Sequence, residues 1–250
     1  MVRNILITGG NRGLGCGLVE SYLNFPDTHV FATVRNPSDA SSETLNSLPK
    51  AENSSLTLLN LEAANEQDYP ALAQSLSQDH DVKELYLIIA NAAVGKVASK
   101  IKDAKTVDCL ENFHINTLGP LLLFQHLRPL LSSGAKFVPI SSKGGSIKYL
   151  DEFSVPNAEY GTSKIALNFL TRKMSLENED LVVFPLDPGF VQTDMGLAGA
   201  KAFGMDEQQI ADMLITTKES VDGMVKVIEG ATREKNGGKF MRYDGDETEW

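Results

Sequence analysis

Seven short apolar runs, spread from one end of the chain to the other, set the limits on what it can fold into. They read NILIT (4–8), HVFATV (29–34), LTLLN (56–60), LYLIIAN (85–91), KFVPIS (136–141), LVVFPLD (181–187) and GKFMRY (238–243). Most have no polar face, as a strand covered by helices on both sides requires. Between them lie the stretches 14–24, 66–78, 106–131, 158–177 and 219–230, with apolar residues at three- and four-residue intervals. Such alternation predicts an α/β fold with a doubly wound, mostly parallel, seven-stranded sheet and right-handed crossovers. No composition break divides the chain, so residues 1–250 read as one domain. The polar stretch 36–55 reads as a loop carrying a short helix, while 143–157 and 195–217 read as irregular segments able to close over a cleft.

Bulk properties exclude several classes of function. With 42% hydrophobic and 22% charged residues, the 250-residue chain has an ordinary globular composition. Its formal net charge of −10 speaks against nucleic-acid partners, which need clustered Lys and Arg to displace counterions. The only cysteines, Cys16 and Cys109, fall in helical stretches and offer no disulfide framework, which suits a reducing, cytoplasmic location. The opening MVRNILITGG runs straight into a strand and a glycine turn, unlike a signal peptide. The longest apolar run, LLLF at 121–124, is too short to span a bilayer, so no membrane partner is expected. The sequon at Asn53 has no secretory signal to make it meaningful.

Directly after the first apolar run comes TGGNRGLG, Thr8 to Gly15. Strand, glycine turn and helix start together make an anion site, because the backbone can approach a diphosphate and free N–H groups face it. Gly9, Gly13 and Gly15 give the spacing G-x-x-x-G-x-G, which is neither the usual dinucleotide fingerprint nor a P-loop. The second run ends at Arg35 where a carboxylate would hold a ribose 2′-hydroxyl, and Arg12 sits inside the turn. Guanidinium groups match phosphate with paired donors, so the pattern favours NADP(H) over NAD(H). Further along, Tyr160 and Lys164 stand four residues apart and share one helix face just before a run destined for the core. That pair reads either as two snorkelling side chains or as an acid lowered in pKa by a fixed cation.

With the glycine turn, the Tyr-x-x-x-Lys pair and the strand order in hand, the chain resembles the short-chain dehydrogenase/reductase family from Thr8 to Tyr243. VRNP after the second strand, PGFVQTDMG (188–196) and KESVDGMVKVIEG with GGKFMRYDG near the end resemble its norsolorinic acid ketoreductase-like, C-factor-like and sniffer-type carbonyl reductase branch. The resemblance implies a Rossmann fold and four catalytic positions: Ser142 rather than Ser141 in PISS, Tyr160, Lys164, and Asn116 in FHINTLGP, the last holding a water that relays protons to Lys164. It also implies that the cofactor is met by Gly9, Asn11, Arg12, Gly13, Leu14, Gly15 and Arg35, and by Asn60, Leu61, Asn91 and Ala92 around the adenosine. Pro188, Gly189, Val191 and Thr193 fall on the turn that wraps the nicotinamide, with Tyr160 and Lys164 completing the set. Ala90 and Ala93 depart from the family's Asn-Asn-Ala-Gly, and Asn60 stands in place of an Asp.

Carbonyl reduction needs a hydride at carbon and a proton at oxygen. A phenol with pKa about 10 is a reluctant donor, and a neighbouring ammonium is expected to lower it. Ser142 then serves as a neutral donor to the substrate oxygen. Met195, Leu197, Phe203, Met205 and Met213, with Tyr149, Leu150 and Phe153, suggest an apolar, aromatic or polycyclic carbonyl substrate, although core packing would use the same residues. A non-catalytic NADP(H)-binding regulator is the rival reading; an epimerase or dehydratase on this fold would go with a longer chain. His29, His80, His114 and His126 do not cluster at metal spacing, and no G-x-S-x-G elbow is present. By the same resemblance, helices 106–131 and 158–177 are expected to form contacts in a homo-oligomer.

Overall fold

The computed structural model describes residues 2–95, 98–152 and 155–250. The chain begins with strand β1 (Arg3–Thr8), helix α1 (Gly13–Leu23), β2 (Thr28–Val34), the short α2 (Ala40–Glu43), β3 (Ser55–Asn60), α3 (Asp68–Gln74) and β4 (Leu85–Ala90). It continues through α4 (Thr106–Phe113), α5 (Gly119–Leu127), β5 (Leu131–Pro139), α6 (Ala158–Glu177), β6 (Val182–Val183), β7 (Leu186–Asp187), α7 (Asp194–Ala202) and α8 (Glu207–Met213). Last come α9 (Thr217–Gly230), α10 (Arg233–Asn236), β8 (Phe240–Arg242) and β9 (Glu247–Thr248).

Among the described residues, six strands form a parallel sheet in the order β3-β2-β1-β4-β5-β6. Its side chains alternate between two apolar layers, which explains why the runs lack a polar face. Ile5, Ile7, Val30, Ala32, Leu87, Ile89 and Val138 pack with Leu18, Tyr22, Val221, Met224 and Ile228 of α1 and α9. Leu6, Phe31, Ile88 and Phe137 face the other way, onto Tyr69, Leu72, Leu123, Phe124 and Leu127 of α3 and α5. Each such side chain removed from water contributes roughly 1.5–3 kcal/mol, so both layers are needed to offset chain entropy. Lys136, only 5% exposed, reaches through the first layer to donate to the carbonyls of Ile228 (2.7 Å) and Glu229 (3.0 Å), closing the end of α9.

The seventh strand departs from expectation. Pro185 has no N–H to continue a ladder, so the run 181–187 divides into β6 and β7. β8 pairs in parallel with β7, and antiparallel with β9, in a separate three-stranded sheet. The central sheet therefore has six strands; a bridge between Ile140 and Leu186 still joins the two sheets. The expected long helix 106–131 is likewise interrupted, by a π-helical turn at His114–Leu118. The segment 195–217, expected to be irregular, holds α7 and α8, each started by a side-chain cap: Thr193 accepts from Gly196 N, and Asp206 forms a capping box with Gln209.

Candidate active site

The strand order reverses between β1 and β4, so a cleft opens beyond their carboxyl ends. Gly9 and Gly13 hold φ of +67° and +53°, conformations that L side chains rarely adopt. Gly15 is closer still: a Cβ there would lie 2.1 Å from the Gly9 carbonyl oxygen. Thr8 fastens the floor of the turn, its hydroxyl accepting from the amides of Asn91 and Ala92, both at 3.0 Å. Asn91 returns a bond from Nδ2 to the Thr8 carbonyl at 2.8 Å. Arg12 takes the N-cap position of α1 without any side-chain cap, which leaves the helix's first N–H groups for another partner.

Arg12 and Arg35 are both exposed, and neither has an ion pair or side-chain hydrogen bond among the described residues. Two unpaired guanidiniums beside a glycine cradle, in a chain of net charge −10, fit a dinucleotide carrying an extra phosphate. Asn60 donates to the Arg35 carbonyl at 2.9 Å, so it steadies the arginine turn. Asn11 donates to Ser41 at 2.8 Å and ties α2 to the glycine turn. Leu61 is buried, its amide bonded to the Val34 carbonyl at 3.0 Å, and Leu14 packs on the α1 layer. Ala90 and Ala92, with Leu61, Tyr69 and Ile115, line a small cavity behind this floor.

The second half of the cleft begins where β5 ends. Ser141 points into the core and donates to Asn168 at 2.5 Å, so the next side chain, Ser142, faces the other way. Ser142 accepts from Gly144 N at 3.1 Å and lies close enough to the Tyr160 phenol to favour its ionised form. Tyr160 and Lys164 lie one turn apart on α6, with Lys164 Nζ 5.5 Å from the Tyr160 ring centre. The expected lowering of the phenol is not found. Burial of the hydroxyl end pushes Tyr160 up to about 12; Ser142 works against this, and the charge of Asp187 adds to it. The physical reason is that Lys164 is itself desolvated, at 2% exposed, and burial brings it down to about 7. Its ammonium donates to the Ile140 carbonyl at 2.8 Å.

Asn116, fully buried in the π-helical turn, grips one residue with both ends of its amide. Oδ1 accepts from Val94 N at 2.8 Å and Nδ2 donates to Val94 O at 2.9 Å, with Ser163 Oγ 3.0 Å from the same nitrogen. The side chain thus clamps the β4–α4 connection onto the π-helical turn and α6. A π-turn at such a place is common near functional sites. Glu159 assists from α6, accepting from Ser99 N at 3.2 Å.

Pro188 and Gly189 follow β7; the Pro188 carbonyl accepts from Ser220 Oγ at 2.6 Å, and Gly189 has φ +81°. Val191 is buried against Ile215, and the Thr193 methyl group lies 3.5 Å from where a Gly13 Cβ would stand, so this turn meets the glycine cradle across the cleft. Met195 and the Tyr160 ring both close on Gly95, where an added Cβ would be 3.4 and 3.3 Å from them. Of the other apolar candidates, Leu150 and Met213 are exposed, Phe203 packs at 6.3 Å from Phe190, and Tyr149 sits under the Lys143 ammonium at 3.7 Å. Phe153 lies outside the described residues.

Sequence reasoning missed Gly95, Ser163 and Asp187. Only Gly95 had a local signal, a glycine four residues after Asn91 at the end of a strand. Among the described residues, no group of three His, Cys, Asp or Glu side chains gathers as for a metal, and no helix is long and apolar enough to cross a membrane.

Comparison with known proteins bears on the family and the fold. The sequence pattern of the family described as short chain dehydrogenase matches residues 3–202. The chain is 40% identical to the short chain dehydrogenase gsfK of Penicillium aethiopicum, over all of both chains. It is 38% identical to the norsolorinic acid ketoreductase nor1 of Dothistroma septosporum, over 98% of this chain and 91% of that one. Its fold is similar to the NADPH-bound carbonyl reductase from chicken fatty liver, with a TM-score of 0.85 and 32% identity over 100% of this chain and 99% of that one.

Proposed function

The chain belongs to the short-chain dehydrogenase family, and on that premise we propose that it reduces the carbonyl of an apolar, aromatic or polyketide-type substrate, reversibly, with Tyr160 exchanging the proton. It is an oxidoreductase of the C=O/CH–OH type, and its cofactor is NADP(H). The observation that carries the site assignment is Tyr160 one helical turn before the buried Lys164, whose Nζ bonds the Ile140 carbonyl two residues before Ser142, with Ser142 close enough to the phenol to favour its ionised form. The names of relatives that act on norsolorinic acid support the substrate class, as does Met195 beside Gly95 and Tyr160.

When bound, NADPH supplies the hydride for the carbonyl carbon. The glycine turn and the uncapped start of α1 would hold its diphosphate, Arg12 and Arg35 its additional phosphate, and the Pro188–Gly189 turn with Thr193 its nicotinamide end. Ser142 Oγ donates to the substrate oxygen, and Tyr160 Oη gives up its proton as charge grows there. Lys164 Nζ, bonded to the Ile140 carbonyl and 5.5 Å from the Tyr160 ring centre, would hold the cofactor ribose. Asn116 holds the wall of the cleft; both ends of its amide are engaged by Val94, so any relayed water would meet other atoms.

Tyr160→Phe is the direct test, with NADPH affinity by fluorescence and oxidation at 340 nm against a panel of aromatic and aliphatic ketones. NADPH binding within threefold of the parent and turnover lower by roughly 10²–10⁴ is the expected result. A variant retaining more than a tenth of the parent rate on every reducible carbonyl removes Tyr160 from the chemistry. A parent that binds NADPH and turns over nothing in the panel favours the non-catalytic regulator. The same reading extends to assembly: Val107 and Leu110 of α4 and Phe169 and Leu176 of α6 are exposed on two helices in mutual contact, and we assign them to a homo-oligomer interface. Light scattering that shows a monomer at micromolar concentration would remove that part. Two free cysteines support a cytoplasmic location.

A further inference from the structure

Asp187 ends β7, where the sequence marks only the close of an apolar run. Its side chain is 4% exposed. Oδ1 accepts from the amide of Lys143, the residue after Ser142, at 3.1 Å. Burial raises the pKa of this carboxylate, opposed by the Lys143 amide and the Arg242 charge. Oδ2 faces Arg242 Nε at 3.9 Å, opposite it in the parallel β7/β8 register. That guanidinium does not neutralise it fully: Nε is buried without a hydrogen bond, and the Arg242 terminal nitrogen is held by Asp244 at 3.0 Å. A buried carboxylate is costly to keep, and an apolar residue would fill a strand end at less cost. Its main-chain hydrogen bond goes instead to the segment bearing Ser142, while the chain runs directly from Asp187 into the Pro188–Gly189 turn.

We propose that Asp187 is a positioning residue for the carbonyl reduction: its carboxylate fastens the Ser142 segment to the Pro188–Gly189 turn, fixing the spacing between the donor to the substrate oxygen and the wall of the nicotinamide pocket. This rests on the active-site reading above. Burial is the main cause that keeps the Tyr160 phenol protonated, and the negative charge of Asp187 adds to it. The other charged or titratable groups around it are Lys143 after β5, Arg242 and Tyr243 on and after β8, and Tyr160 of α6. Lys143 lies over the Tyr149 ring and 3.7 Å from Glu152.

Asp187→Asn keeps an acceptor for the Lys143 amide and removes the charge; Asp187→Ala removes both. For D187A the expected result is kcat lower by at least thirtyfold with NADPH affinity within threefold, and for D187N a kcat at least fivefold above that of D187A. In D187N the alkaline limb of the kcat–pH profile moves to lower pH, because a phenol without the neighbouring charge ionises more readily. A D187N profile superimposed on the parent's, or D187A within threefold of the parent in kcat, overturns the proposal. Should D187A fail to fold by circular dichroism, the D187N profile decides alone, a downward shift supporting the proposal and an unmoved limb ending it. Tyr160→Phe measured alongside separates the two readings: full turnover in Y160F ends the active-site reading, whereas an inactive Y160F with an unmoved D187N profile ends only this one.

Discussion

Replacing Lys164 with methionine is expected to stabilise the protein while abolishing its activity. Lys164 is 2% exposed, and burial lowers its pKa from 10.5 to about 7. At about 1.4 kcal/mol per pH unit, that fall puts an upper limit of about 5 kcal/mol on the cost of keeping the ammonium charged in the fold. Methionine fills a similar volume without the charge but leaves the Ile140 carbonyl, now 2.8 Å from Nζ, without that donor, a loss of about 1–3 kcal/mol. The net gain is about 2–4 kcal/mol, or a rise in Tm of roughly 5–10 °C for a chain of this size. The sign of its pH dependence follows from linkage. Between about 7 and 10.5 the unfolded chain keeps a proton on this lysine that the folded chain has lost, so the parent gains stability as pH rises through that window. Below pH 7 both states are charged and the penalty is complete; above 10.5 both are neutral and it vanishes. K164M without cofactor should therefore melt furthest above the parent near pH 6.5 and lose that advantage by pH 10, where only the missing donor to Ile140 remains and the variant melts at or below the parent. A K164M protein that melts below the parent at pH 6.5, or a gap equal at both pH values, refutes the reasoning.

Other perturbations test other parts of the structure. Gly15→Ala places a Cβ 2.1 Å from the Gly9 carbonyl, so the cradle must open; a loss of about 1–3 kcal/mol in thermal stability and at least tenfold in NADPH affinity is expected, measured by melting and fluorescence titration. Arg12→Ala with Arg35→Ala should weaken NADPH by roughly tenfold or more at low salt while leaving NADH within threefold, read as the ratio of the two dissociation constants. Lys136→Met strips the donor from the last carbonyls of α9 and should cost about 2–4 kcal/mol in urea denaturation with kcat unchanged.

What could be read from the sequence was whatever depends on near neighbours. Alternating apolar side chains such as Ile5, Leu6 and Ile7 announce a sheet covered on both faces, and four-residue spacing alone puts Tyr160 and Lys164 on one side of a helix. Proline at 185 was visible, yet its effect on strand count depends on β8, more than fifty residues on, offering an alternative partner to β7. Asp206 and Gln209 are a capping box by spacing, but methionine and glycine around them read as loop, and α8 went unrecognised. Asp187 was out of reach because the amide it holds is 44 residues away in sequence. The titration of Tyr160 is not legible in its spacing from Lys164, because burial is a property of the whole fold and here acts on both members of the pair.

The grip of Asn116 on Val94 has a wider consequence. A primary amide offers a donor and an acceptor at the separation found in a peptide unit, so position 116 does for the chain beyond β4 what a neighbouring strand would do, without any strand being there. Aspartate lacks the donor, serine cannot span both atoms, and glutamine sets the pair one methylene too far out. In this fold the residue is in effect a piece of main chain supplied by a side chain, and its identity is fixed by stereochemistry before any demand from the reaction.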